Sequence, residues 1–333
     1  MRRSQLIDGA AGTLVAVLLA TIPHYAGAQQ TPAQCRSQCQ VDFRDCFQSP
    51  GSNYCQRQRD ACLARCGTVS PPPLLYTLEC AENYPSGVSD LPNSCDNTDN
   101  LDTELTGWQG WHEFAYFQEC DAWPQHWMED DRPGGGLDNM WVDNPVDLAV
   151  WSGHGTEAPS EPDGSWSMFF GCSHNGTEQA TSPDEIHLGE VGTDPFGGDG
   201  RAKFVIMDAS CSAVLGEIDA VWINGAGQGG IMMRAHQGLA FKDSPNDSDD
   251  RLQEFVDELR EDDVSNKQAW LDKGELCVAF WCWNSPLIMS FDQTESLARD
   301  RQNFESLSRG RIGNQPPSFD GFFVWNYVDN GDC

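Results

Sequence analysis

Positive charge is scarce in this chain. Its 333 residues hold 20 Lys and Arg against 51 Asp and Glu, a formal net charge of −31. Nucleic-acid binding needs a basic surface that displaces counterions from phosphates, so that class is excluded. The same repulsion disfavours anionic membranes. Long apolar runs are missing too. The most apolar stretch, Ala10 to Ile22, is too short to span a bilayer, and no later run is longer, so no membrane span is expected. Common metal and phosphate signatures are also absent: the chain has no C-x-x-C pair and no H-E-x-x-H. The glycine-rich "NGAGQGGIMM" (Asn224–Met233) lacks the Lys and Ser/Thr of a phosphate-binding loop. No cofactor or metal is expected. One acidic segment, "DSPNDSDD" (Asp243–Asp250), has enough oxygens for calcium but lacks the Gly and closing Glu of an EF-hand, which favours a solvated loop.

What is present starts with an export-type leader. Arg2 and Arg3 precede the short apolar run, and Ala26-Gly27-Ala28 fits a small-x-small cleavage site, so residues 1–28 read as a signal peptide. Export implies a secreted, periplasmic or cell-surface protein. The 14 cysteines agree, because all follow Ala28 and oxidising compartments permit disulfides.

Six of those cysteines fall within residues 29–70, at Cys35, Cys39, Cys46, Cys55, Cys62 and Cys66. Their spacing is palindromic about the turn signal "SPGSN". The i, i+4, i+11 pattern keeps three cysteines on one helical face. Two antiparallel helices with nested bridges Cys35–Cys66, Cys39–Cys62 and Cys46–Cys55 account for the palindrome. A segment so short needs such staples to fold. Nothing in it names a partner for the hairpin.

Residues 71–104 are rich in Pro, Ser, Asp and Asn and read as a linker, which a Cys80–Cys95 bridge would close. Residues 105–333 alternate apolar strands with amphipathic helices. Strands are expected at "HEFAYF" (His112–Phe117), "VDLAVWS" (Val146–Ser152), "WSMFFGC" (Trp166–Cys172), "KFVIMD" (Lys203–Asp208), "AVWIN" (Ala220–Asn224), "RAHQGLAF" (Arg234–Phe241), "CVAFWCW" (Cys277–Trp283) and "FFVWNYV" (Phe322–Val328). Helices are expected at "DDRLQEFVDELRE" (Asp249–Glu261) and "QTESLARDRQNFESLS" (Gln293–Ser308). Near-continuous apolar strands suggest a mostly parallel sheet covered by helices on both faces, in the α/β class.

Two strand ends carry chemistry. "DLAVWSGHG" runs a buried strand into a histidine, His154, held between Gly153 and Gly155. "KFVIMDASCSAV" runs another into Cys211, between Ser210 and Ser212. Ligand and catalytic groups of open α/β sheets gather at the carboxyl ends of strands, so the two residues can meet if the strands are neighbours. A histidine beside a cysteine lowers the thiol pKa and supplies the reactive thiolate.

Together, "AVWSGHG" and "FVIMDASCSA" resemble the caspase-like cysteine peptidases: caspases, legumains, gingipains, clostripain and separases. The resemblance covers these two motifs and, elsewhere, element order only. It implies a caspase-like α/β domain over residues 105–333 that hydrolyses peptide bonds of a protein or peptide substrate. In that reading Cys211 attacks the carbonyl and His154 protonates the leaving amine. The backbone N–H groups of Gly155 and Cys211 would hold the oxyanion. This chain departs from the family pattern by one extra residue before the cysteine. An ungapped alignment places Ser210 at the nucleophile position, so Ser210 is the alternative nucleophile and a dead site is the third option. Cysteine pairing bears on this choice. Cys277 and Cys282, read within one strand, cannot easily bridge each other, and a disulfide at Cys211 would favour a non-catalytic binding or interaction protein that kept the fold.

Overall fold

Apolar residues run almost unbroken through the central strands, so both faces of the sheet are buried. The computed structural model describes residues 73–84, 89–127, 137–142, 146–157, 166–171, 202–212, 235–261, 263–278, 281–292, 294–308, 312 and 322–330. The chain divides into two units, Met1–Ser70 and Pro71–Cys333, and every described residue belongs to the second. The leader, the 29–70 hairpin with its three bridges, and the expected strand at Ala220–Asn224 lie outside the described residues.

Eleven strands are described: β1 (Leu74–Cys80), β2 (Trp111–Gln118), β3 (Leu148–Ser152), β4 (Gly155–Glu157), β5 (Trp166–Met168), β6 (Phe204–Asp208), β7 (Gln237–Phe241), β8 (Leu276–Val278), β9 (Trp281–Trp283), β10 (Pro286–Asp292) and β11 (Phe322–Tyr327). The helices are α1 (Ser94–Leu105), α2 (Asp138–Trp141), α3 (Arg251–Glu261), α4 (Asn266–Gly274) and α5 (Glu295–Phe304). Seven strands form one sheet in the order β11-β10-β7-β6-β3-β1-β2. Neighbours β2, β1, β3, β6 and β7 are parallel, and β10 runs antiparallel to both β7 and β11. The fold is therefore mixed α/β, with a mostly parallel sheet flanked by helices.

Alternation sends two sets of side chains to opposite faces. Leu78, Val150, Ile206 and Phe241 face Leu101 of α1, Phe255 of α3 and Trp270 of α4. Trp151, Met207 and Met289 face Trp127, Val142 and Phe170 on the other side. Full burial of each such side chain is worth about 1.5–3 kcal/mol. Helix α3 follows directly from its sequence: Leu252, Phe255, Val256 and Leu259 are buried at helical spacing. Its first residue, Arg251, is a cation at the positive end of the helix dipole, an unfavourable place. It is held there by an ion pair described below.

Three expectations need correction. Residues 71–104 are not a linker: β1 lies inside the sheet between β2 and β3, and α1 packs on it. The Pro, Ser and Asp content around it masked the apolar run "LLYTLEC", which is almost wholly buried. The Cys80–Cys95 bridge is present and joins β1 to the first turn of α1. "CVAFWCW" is not one strand. It folds as the antiparallel pair β8 and β9, with Cys277 directly opposite Cys282 in the backbone register. The objection to pairing these two cysteines, which assumed a single strand, therefore falls. Finally, "WSMFFGC" gives only the short β5, paired with β4 outside the main sheet.

Candidate functional site

Strands β3 and β6 are parallel neighbours, and Ser152 lies opposite Asp208 at their carboxyl ends. The two motifs therefore leave the sheet side by side, at carboxyl ends of strands, where ligand and catalytic groups of open α/β sheets gather. Gly153 N–H continues the pairing and donates to Asp208 O at 3.2 Å. A glycine is required there by contact: a Cβ would stand 2.7 Å from Tyr84 Oη and 2.8 Å from Trp151 Cζ2.

His154 is held twice. Its main-chain N–H donates to Tyr84 Oη at 2.9 Å, and its Nε2 lies 2.7 Å from the Ser89 carbonyl oxygen. A carbonyl only accepts, so Nε2 carries the hydrogen, and in the neutral ring Nδ1 holds the lone pair. Tyr84 meets the imidazole edge-on, with ring centroids 4.6 Å apart. Its hydroxyl donates to Ala81 O at 2.9 Å, and Ala81 N–H donates to Ser152 O at 3.1 Å. The segment after β1 is thus strapped to the end of β3, and the histidine ring is strapped to that segment. The Cys80–Cys95 bridge spans the same segment.

Asp208 closes the other strand end. It is buried, and its carboxylate accepts from Arg251 Nε at 3.1 Å and Nη2 at 2.7 Å, Asn97 Nδ2 at 2.5 Å and Ser152 Oγ at 3.2 Å. Both guanidinium donors meet the one oxygen Oδ1, and this charge-assisted pair offsets the poor dipole position of Arg251. Asn97 Oδ1 accepts Leu252 N–H at 2.8 Å and so tethers the start of α3 to α1. Arg251 also donates to the Asn246 carbonyl at 2.9 Å. The acidic 243–250 segment is thereby drawn against the carboxyl edge.

In that segment several of the acidic oxygens accept from protein donors. Asp243 Oδ1 accepts Ser285 N–H at 2.8 Å, and Asp247 Oδ2 accepts from Asn93 N and Nδ2 at 3.3 and 3.2 Å. Burial raises the Asp247 carboxyl above its usual range, while the Asn93 N–H and the Arg251 and His154 charges pull it down. No group of three or more His, Cys, Asp or Glu side chains suited to a metal ion occurs among the described residues.

Cys211 differs from the catalytic expectation in two ways. It is disulfide-bonded, so its sulfur is not a thiolate in this state, and among the described residues no cysteine is free. Its backbone N–H donates to Asp243 O at 2.8 Å, so that N–H is not available to an oxyanion. The residue is buried, with a left-handed φ of 56°. A non-glycine residue there stores strain of about 1–3 kcal/mol, held by the turn that follows β6. That turn is fastened by Ser212, whose hydroxyl donates to Met207 O and accepts Phe241 N–H. Ser210, half-buried, lies in the same turn. Gly155 is the first residue of β4. His154 O accepts Phe169 N–H at 3.1 Å, so by antiparallel alternation Gly155 N–H points away from β5.

The motifs therefore locate His154 and Cys211 at one sheet edge. The groups that hold the histidine, Tyr84 and Ser89, carry no motif, because they come from the segment misread as linker. Asp208 stands in the quoted "DASC" motif and Arg251 in the helix pattern, but their pairing is a long-range contact.

A family model described as a domain of unknown function matches residues 78–277. The chain belongs to the DUF6345 family. In this DUF6345 chain the matched span runs from Leu78 of β1 to Cys277 of β8, so it includes His154, Cys211 and Arg251. No curated protein and no solved structure matches the chain.

Proposed function

We propose that this protein, in its oxidised form, is an exported binding module of caspase-like architecture that holds a protein or peptide segment at the carboxyl edge of β3 and β6 without cleaving it. The observation that carries this reading is the disulfide at Cys211, which removes the nucleophile that the caspase-like resemblance requires. The engaged Cys211 N–H supports it further. The net charge of −31 favours a basic partner. The leader-like residues 1–28 and the bridge at Cys80–Cys95 fit a secreted, periplasmic or cell-surface setting. No helix among the described residues is long and apolar enough to cross a membrane.

A second reading, a cysteine peptidase with a Cys211–His154 dyad, is favoured by one specific observation: His154 has a fixed ring whose Nε2–H is committed to Ser89 O, as a poised base requires. One experiment separates the readings. The full-length oxidised protein is incubated with a mixed peptide library before and after mild reduction, and a reduced sample capped with iodoacetamide serves as the control. Binding without cleavage in both states supports the module. Cleavage that appears on reduction, and disappears in Cys211→Ala and His154→Ala, establishes the peptidase. Cleavage in the oxidised state that is lost in Ser210→Ala assigns the serine instead.

A further inference from the structure

Cys120 and Cys211 are both disulfide-bonded. Cys80–Cys95 is the one disulfide with both cysteines among the described residues, so Cys120 and Cys211 do not bond each other. The strand order agrees. Cys120 follows β2 and Cys211 follows β6, with β1 and β3 between those strands, a separation of about 14 Å. The six cysteines of residues 29–70 are matched among themselves by their palindrome. The available partners are then Cys172 and Cys333, which lie outside the described residues, and Cys277 and Cys282.

Their described neighbours sort these four. Cys277 and Cys282 stand opposite each other in the backbone register of β8 and β9. Opposed Cα atoms of an antiparallel pair are about 4.5–5.5 Å apart, a separation that a disulfide accepts, so these two suit each other. Cys172 follows Gly171, and Cys120 follows Glu119. Gly171 and Glu119 are in contact: a Cβ on Gly171 would stand 3.1 Å from Glu119 Oε2. Cys172 therefore suits Cys120, which leaves Cys333 for Cys211.

The chain before Cys333 arrives at the right edge. β10 is antiparallel to β7 and β11 to β10, so β11 ends beside the carboxyl ends of β6 and β7. Just beyond it, Val328 N–H donates to Pro286 O at 3.1 Å, and Lys242 Nζ donates to Asp329 Oδ1 at 2.8 Å. Asn330 N–H donates to Ser285 Oγ at 3.0 Å, and Ser285 N–H donates to Asp243 Oδ1 at 2.8 Å. Asp243 O in turn accepts the Cys211 N–H. Asn330 has thus crossed to the start of β10, two strand spacings, or about 10 Å, from β6. Three further residues reach about 10 Å, and a disulfide spans about 5.5–6 Å more between Cα atoms.

We infer that Cys333 is the disulfide partner of Cys211, and that this bridge is a redox-reversible cap on the residue that the caspase-like pattern makes the nucleophile. The bridge forms by thiol–disulfide exchange: the two thiols give two electrons and two protons to a disulfide-bearing oxidant, which leaves as two thiols. A dithiol reductant runs the step backwards and returns the Cys211 thiol. This pairing rests on the proposed oxidised module only through the bonded state of Cys211, and it names the segment stapled to the module's carboxyl edge.

The test is peptide mapping of the full-length protein, digested with trypsin without reduction. Cleavage after Lys203, Arg234, Lys273, Arg299 and Arg311 puts Cys211, the Cys277 and Cys282 pair, and Cys333 on three separate fragments. Mass spectrometry is expected to find the Cys211 fragment joined to the Cys333 fragment. The link should vanish on reduction with a dithiol and return on treatment with oxidised glutathione. In Cys333→Ser, denatured without reductant, iodoacetamide should label Cys211, which it leaves unlabelled in the parent. The pairing is overturned if the Cys211 fragment is joined to any other fragment, if the link does not re-form, or if Cys333→Ser leaves Cys211 unlabelled. A different partner would leave Cys211 bonded and the proposed module intact, whereas an unbonded Cys211 in the oxidised protein would overturn both.

Discussion

Two histidines stand just off opposite ends of the same sheet, and their surroundings differ. His236 precedes β7 at the amino end. It is buried, with Nδ1 2.6 Å from Glu305 Oε1. Arg301 binds Asp292 at 2.6 Å and Glu305 at 3.1 Å, so each charge in that network meets an opposite one. His154 follows β3 at the carboxyl end and is only half-buried, with one ring nitrogen held by a carbonyl. A closed, buried network rigidifies and specifies a core, whereas a half-open histidine held at one nitrogen keeps the other for chemistry or recognition. The contrast separates a closed end of the sheet from the open end that the proposed function uses.

The sharpest test of the closed end is Arg301→Ala. It removes the Arg301 cation from the buried Asp292 and Glu305, and stability should fall by about 3–5 kcal/mol in urea unfolding. A loss below about 1 kcal/mol would mean that the network is wet and that the two ends are alike.

A pH titration of stability makes the next test. Burial pushes the His236 imidazole down from 6.5 to about 4, over the opposing pull of Glu305. Between those values the unfolded chain takes up a proton that the folded chain refuses. Stability therefore falls as pH drops through this window, and the full penalty, about 3 kcal/mol, is reached below about pH 4. His236→Gln keeps a donor toward Glu305 and does not titrate. Its unfolding free energy should show a flatter pH dependence than the parent's over the same range. Parallel curves for the two proteins would assign the acid sensitivity elsewhere.

The sequence made the carboxyl end easier to read than the amino end, for physical reasons. Near-continuous apolar runs reveal β3, β6, β7 and β11, and helical spacing reveals α3 and α5, because these patterns are local. His154 and Cys211 were visible because both end such runs. β1 was lost because composition was averaged over 71–104, which hid seven strand residues among turn formers. The pair β8 and β9 was lost because both strands lie within one unbroken apolar run of sequence. The Asp208–Arg251 pair joins residues 43 apart in sequence, and no local pattern predicts which carboxylate an arginine will meet. The bonded state of Cys211 was beyond reach for the same reason: connectivity does not follow from spacing alone.

At the open end, Gly153→Ala probes how tightly the histidine loop is set. The new methyl would meet Tyr84 Oη and the Trp151 ring at under 3 Å, so one of them must shift. A loss of about 1–3 kcal/mol is expected, read as a lowered melting temperature. The more telling readout is a changed ¹H–¹⁵N shift for His154 with an unchanged one for His236. Equal changes at both histidines would show that the sheet ends are coupled and that the division drawn between them is wrong.

The smallest expected effect belongs to Tyr84→Phe, and it asks which partner orients His154. The tyrosine hydroxyl takes the His154 main-chain N–H and donates to Ala81 O, while the Ser89 carbonyl independently takes the ring Nε2–H. Phenylalanine keeps the edge-on ring contact and removes only the hydroxyl. The hydroxyl's two hydrogen bonds are both lost, so the cost should be about 1–2 kcal/mol. Solvent exchange of the His154 amide should accelerate roughly fivefold, the equivalent of about 1 kcal/mol for its own bond. If Ser89 alone sets the tautomer, ¹⁵N spectra of the neutral ring will still show the hydrogen on Nε2 in the variant. A switch to Nδ1–H would instead make Tyr84 the group that sets the ring, by placing the segment that carries Ser89. In that case the nitrogen left free for a partner or substrate would be decided by the strap after β1 rather than by the glycines around the histidine.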